Sequence, residues 1–216
     1  MSTQQTRILA ALSGILGITL LGVYFLAAPP LPPADATVAQ VTSIATQYHN
    51  AWFLGAWLQA TGSLLSVVFF LTLVHMAGGA ARLAGTLTLL GSAVLLGVAL
   101  IEGVFTIDLA QATANGHPAT ALSSYDLMGV FIHIFPLAPA PIIVLSLGAV
   151  LLGSRILPGV FGYLALALGI AYEIVGLVGL FTTPILTLVV LGLQSLWVVA
   201  AAITLVARAG KGGAVN

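Results

Sequence analysis

The sequence predicts an all-α membrane protein, a polytopic bundle of six transmembrane helices with an external amphipathic helix between the first two, forming a single transmembrane domain over residues 1–216. Three observations carry this reading. Hydrophobic residues make up 60% of the chain and charged residues 5%, against roughly 25% charged in a soluble domain. Apolar stretches recur that are long enough, at ~1.5 Å rise per residue, to cross ~30 Å of hydrocarbon. The charges also segregate. With the N-terminus inside, Arg7, Arg82, Arg155, Arg208 and Lys211 all fall on the cytoplasmic side, while Asp35, Asp108 and Asp126 fall outside. That arrangement places both termini in the cytoplasm and the chain, as a multi-pass protein, in the plasma (inner) membrane.

The six expected spans are 7–28, 51–75, 83–107, 126–153, 158–181 and 184–207. The first is read as a retained helix, because its apolar run exceeds the 7–15 residues usual for a signal-peptide core. After it, Pro29-Pro30-Leu31-Pro32-Pro33 cannot continue a helix. Val38, Val41, Ile44/Ala45 and Tyr48 then recur at helical spacing, which predicts an amphipathic helix on the outer interface. Residues 110–125, containing Asn115-Gly116-His117-Pro118, read as a turn-rich external loop. Thr183 and Pro184 fit a tight external turn as N-cap and first helical residue. Pro136, Pro139 and Pro141 each remove an amide, so the fourth span should be kinked or locally unwound there. The runs from Arg82 to Glu102 and from Arg155 to Glu173 are similar enough to suggest two related hairpins.

Composition also excludes. The formal net charge is zero, so nothing points to a nucleic-acid partner. Cysteine is absent, which removes disulfides, thiolate catalysis and cysteine-ligated metals together. The lipid bilayer is the expected surrounding partner, and homo- or hetero-oligomers are compatible with the small-residue helix faces.

The candidate site is a polar layer. Glu102 shares a face with Gly85, Ser92, Ala99 and Thr106; Gln59 shares one with Gly55, Gly62 and Ser66; and His133 shares one with Asp126, Gly129, Pro136 and Ala140. Glu173 sits between Gly169 and Gly176 in a seven-residue glycine repeat that lets helix backbones approach, so it is expected to point into a packed interface. Counted from the outer ends of their spans, Gln59, Glu102, His133 and Glu173 all lie roughly 9–12 Å below the surface. A carboxylate at that depth needs a proton, a cation or several donors, and a charge at mid-membrane costs at least ~2.5–3.5 kcal/mol on insertion scales. Every Lys and Arg is on the other side, which leaves His133, or His49 at the outer rim, as the protein cation within reach. Glu102, His133, Glu173, Gln59 and His49 are therefore the expected ligand-binding residues, and no catalytic residue is assigned. A structural reading, in which the same side chains serve only as hydrogen-bond glue between helices, stands beside the functional one.

The layout of first span, proline-rich segment and surface helix, together with Gly153-Ser154-Arg155-Ile156-Leu157-Pro158-Gly159-Val160-Phe161-Gly162-Tyr163-Leu164, resembles an uncharacterised family of bacterial six-helix membrane proteins defined only as a domain of unknown function. The resemblance implies a fold and supplies neither activity nor site residues. Three functional classes follow from the residues themselves. One is a protein that binds or transports a proton, a cation or a small or lipid-like ligand through an outward-facing pocket. Another is a metal-dependent membrane enzyme using the same side chains, weakened by the lack of closely spaced ligand pairs. The last is an accessory subunit whose small-residue stripes hold partner helices. Metal content and cofactor are unspecified by the sequence.

Overall fold

The computed structural model describes residues 3–30, 32–33, 35–181 and 185–212, and every regular element among them is helical. The helices are α1 (Thr3–Ala27), α2 (Val38–Gln47), α3 (His49–Met76), α4 (Leu83–Ala114), α5 (Pro118–Leu137), α6 (Pro139–Leu152), α7 (Gly159–Gly179) and α8 (Ile185–Gly212). With α5 and α6 counted as one interrupted span, six are long and apolar enough to cross a membrane. The expected turn at Thr183 and Pro184 lies outside the described residues.

The spans form a ring in chain order. Helix α1 packs on α3, α3 on α4, α4 on α5 and α6, both of these on α7, α7 on α8, and α8 back on α1; α3 and α6 also touch across the ring. Bare backbone allows the close contacts. A Cβ at Gly17 would lie 2.8 Å from the Ser66 amide nitrogen and 3.0 Å from the Gly62 carbonyl, so any side chain there would drive α1 from α3. The α7 glycines do the same: a Cβ at Gly176 would meet the Pro136 carbonyl at 2.8 Å.

One end of the bundle carries the start of α1 and the end of α8. There the Arg7 guanidinium donates to the Arg208 carbonyl (3.1 Å), and the Arg208 guanidinium donates across to the carbonyls of Arg155 (3.1 Å) and Ile156 (3.0 Å). These bonds tie α1, α8 and the α6–α7 turn together and close the ring. The adjoining half of the interior is an apolar plug in which Phe69, Phe70, Leu73, Leu147 and Val198 are almost wholly buried.

The opposite end is built around α2. Thr37 and Gln40 form a capping box that starts this helix. Its Val41 and Ala45 are buried with Trp52, Leu109, Ala110, Tyr125 and Met128, and the Tyr125 hydroxyl donates to the Pro32 carbonyl at 2.5 Å. This cluster explains where the expected loop 110–125 departs from the structure. Helix α4 continues through Ala114 and α5 begins at Pro118, leaving a three-residue turn in which Gly116 takes φ 72°. Burial of Leu109, Ala110 and Ala121 holds both helices beyond the apolar spans. The 32 residues of α4 reach about 48 Å at ~1.5 Å each, well over the ~30 Å of a bilayer core. The proline prediction is met at Ala138, where φ −130° and ψ −64° separate α5 from α6.

Candidate functional site

The site begins with two buried stripes that meet. On α3, Gly55, Gln59, Gly62 and Ser66 are all buried, and on α4 so are Gly85, Ser92, Ala99 and Thr106. Facing each other, they bring the Gln59 Nε2 donor to 2.6 Å from Glu102 Oε2. Around the pair, the Thr106 hydroxyl donates to the Glu102 carbonyl (2.9 Å) and lies 3.5 Å from the Met128 sulfur, which joins α4 to α5. Among the described residues, the Gln59 amide is the side-chain donor that Glu102 has.

On α3 two polar atoms are left without a protein partner, one on Gln59 itself and one about two turns away at Trp52. Gln59 Oε1 and Trp52 Nε1 are both buried and unbonded, with Gln59 8% and Trp52 5% exposed. A buried acceptor and a buried donor left open each carry a desolvation penalty, which a water or ligand group would relieve. An ionised carboxylate has about four acceptor positions, so Glu102 can take further donors beyond Gln59. The Tyr24 ring on α1 covers Gly55, where a Cβ would come within 3.3 Å of it.

Among the described residues, none of the other expected side chains hydrogen-bonds to this pair. Glu173 is exposed, not packed in an interface. The reason is angular: at roughly 100° per residue, the Gly162–Gly169–Gly176 line marks one edge of the buried face of α7, where it meets α6 and α5, and Glu173 falls just past that edge. Tyr172, on the inner side of the line, takes the interior position at 0% exposure and packs edge-on against Phe135 (5.6 Å). His133 is half-buried on the edge of α5. It lies one turn toward the α2 end from Pro136, which packs on Gly176, whereas Glu173 lies nearly a turn the other way, an axial offset of roughly 9 Å. His49 opens α3 and stacks edge-on with Phe53 (5.1 Å). Hence the structure joins Gln59 and Glu102 and does not draw Glu173 to them. The two hairpins likened in the sequence diverge at their glutamates, one turned inward and the other outward.

No family model, curated protein or solved structure matches this chain. Among the described residues, no group of three or more His, Asp or Glu is placed to hold a metal ion. The glycine stripes of α1, α3 and α7 are occupied by neighbouring helices of the same chain, so they are not open seats for a partner helix.

Sequence reasoning missed Tyr24, Trp52 and Tyr172. The first two sit near the ends of apolar spans, where aromatic residues are usual at a membrane interface, and nothing local distinguishes them. Tyr172 had a usable signal: it stands three residues after Gly169, on the same side of α7 as the buried Ala165 and Leu168. An open groove of about 480 Å³ between α2 and the α4–α5 turn, lined by Thr42, Ser43, Thr46 and Thr113, holds no titratable side chain and lies apart from Glu102.

Proposed function

We propose that this chain is a multi-pass plasma-membrane protein, with both termini cytoplasmic and α2 lying as an amphipathic helix on the outer interface, that binds a proton or a small cation at Glu102. The observation that carries the reading is the part-buried Gln59–Glu102 hydrogen bond, with the buried Gln59 Oε1 left open beside it. The grouping of arginines at the terminal end supports the orientation, and it leaves Glu102 without an arginine or lysine at its depth among the described residues. The chemistry follows from the pair. Ionised Glu102 accepts from Gln59 Nε2 and has acceptor positions left for a cation; protonated Glu102 becomes a donor and is matched by the other face of the same amide, Gln59 Oε1. A half-turn of one amide therefore gives Glu102 a partner in both protonation states. The apolar plug on the terminal side makes the site one-sided, which favours binding over an open channel.

The test is calorimetric titration of ammonium, sodium and calcium salts into wild-type and Glu102→Gln protein in nanodiscs at constant ionic strength. Saturable heat, lost in Glu102→Gln and retained in Glu173→Gln, is expected. Identical titrations for wild type and Glu102→Gln would reject the cation reading.

A further inference from the structure

We propose that the outward face of α7 is an interface with a second copy of this chain, in which Glu173 of one copy pairs with Glu173 of the other. This interface does not depend on the cation site at Glu102 and uses a residue which that site leaves aside.

Glu173 is a carboxyl that its own chain leaves unmatched. It is exposed on the outside of a helix long and apolar enough to span a membrane. It stands six residues before α7 ends at Gly179, roughly 9 Å below that end. Among the described residues it has no hydrogen-bond or ion-pair partner. Ionisable side chains within spans almost always face the bundle interior or a partner group. Lysine and arginine escape that rule by snorkelling on long stems; the shorter glutamate lacks their reach.

The surface around Glu173 has the pattern of a helix–helix seam. Tyr163, Leu166, Ile170, Glu173, Leu177 and Leu180 recur at alternating spacings of three and four, which sets them on one stripe running to the α7 C-cap. Tyr163, Ile170 and Leu177 are each more than half exposed, so the chain's own bundle does not use this stripe. Leu166 packs beside Gly148 of α6 and marks its inner margin. The neighbouring glycine line, by contrast, is filled by α5 and α6.

Symmetry selects the partner. Two copies inserted the same way in one bilayer are related by a twofold axis along the membrane normal, so residues near the axis meet their own counterparts at equal depth. Glu173 then faces Glu173. In its neutral form each carboxyl is both donor and acceptor, and two of them exchange reciprocal O–H···O bonds that leave no donor and no charge unmatched. A partner with lysine or arginine at that depth fits less well. The adjoining Ile170, Ile174 and Leu177 side chains are alkyl and give an ammonium or guanidinium no acceptor for its remaining N–H groups. A single polar position on an apolar seam also fixes the register of the pair. A carboxyl pair already neutral gives no response to added acid or ammonium, which keeps it separate from the behaviour assigned to Glu102.

The experiment places single cysteines in the cysteine-free chain and treats membranes with a mild oxidant. Ile170→Cys and Leu177→Cys are expected to give disulfide-linked dimers. Leu164→Cys, exposed on the opposite side of α7, and Leu196→Cys, exposed on α8, are not. Energy transfer between labelled copies, followed on dilution into lipid vesicles, should show association weakened at least about threefold in Glu173→Ala, as for loss of one interhelical hydrogen bond in a membrane. Glu173→Gln should retain it, because an amide pair is likewise donor and acceptor. All five positions are exposed, so each copy keeps its core. Absence of dimers at Ile170 and Leu177, equal yields at all four cysteine positions, or unchanged association in Glu173→Ala would overturn the pairing.

Discussion

Gln59 and Glu102 come from different spans, and their single 2.6 Å hydrogen bond is the polar link between α3 and α4 at the level of the site. Losing one partner leaves the other unmatched, Gln59 buried or Glu102 partly buried. Gln59→Leu should therefore lower stability by about 1.5–3 kcal/mol, the range for hydrogen bonds to a charged group. The double variant Gln59→Leu/Glu102→Leu should recover most of that loss, because two apolar side chains need no partner. Denaturation midpoints in one lipid system check the cycle, and simple addition of the two single losses would show that the pair is not coupled.

Packing gives the second prediction. A Cβ at Gly169 would lie 3.1 Å from the Leu145 amide nitrogen, besides striking the Leu145 side chain, whereas Val178 is 39% exposed. Gly169→Leu should destabilise the bundle by at least about 1–3 kcal/mol, as overpacking does, and Val178→Leu should change little. Equal melting of the two variants would refute the close-approach role of the α7 glycine line.

Legibility differed sharply between fold and site. The helical spans, the break among Pro136, Pro139 and Pro141, and the buried stripes through Gln59 and Glu102 were readable because backbone chemistry and small-residue spacing act locally. The extension of α4 to Ala114 was not, since it depends on Leu109 and Ala110 packing under α2, a contact distant in sequence. Glu173 was misplaced by taking a glycine line for the middle of the buried face when it is the edge. Equal depth along four helices says nothing about which way each side chain turns, and that rotation decides which polar residues meet.

The arginine clasp yields a third prediction. Arg208 reaches two carbonyls of the α6–α7 turn while its own carbonyl receives Arg7. Arg208→Ala should cost about 1 kcal/mol, a discounted figure for half-exposed charged hydrogen bonds, and its effect should hold at high salt because the acceptors are uncharged. Proteolysis of the α6–α7 turn in wild type and variant is the check; unchanged cleavage rates would count against the clasp.

Orientation is testable on a chain that lacks cysteine altogether. A cysteine at Asn115, exposed in the α4–α5 turn, should react with an impermeant thiol reagent added to intact cells. One at Ala81, exposed before α4 at the terminal end, should react after lysis alone. The reverse pattern would invert the assigned topology.

The most direct measurement is infrared difference spectroscopy of the protein in nanodiscs as pH is lowered or an ammonium salt is added. A carboxyl signal that responds to either addition in wild type, persists in Glu173→Gln and vanishes in Glu102→Gln is the expected result. A signal that survives Glu102→Gln, or that disappears with Glu173→Gln, would contradict a cation site at Glu102.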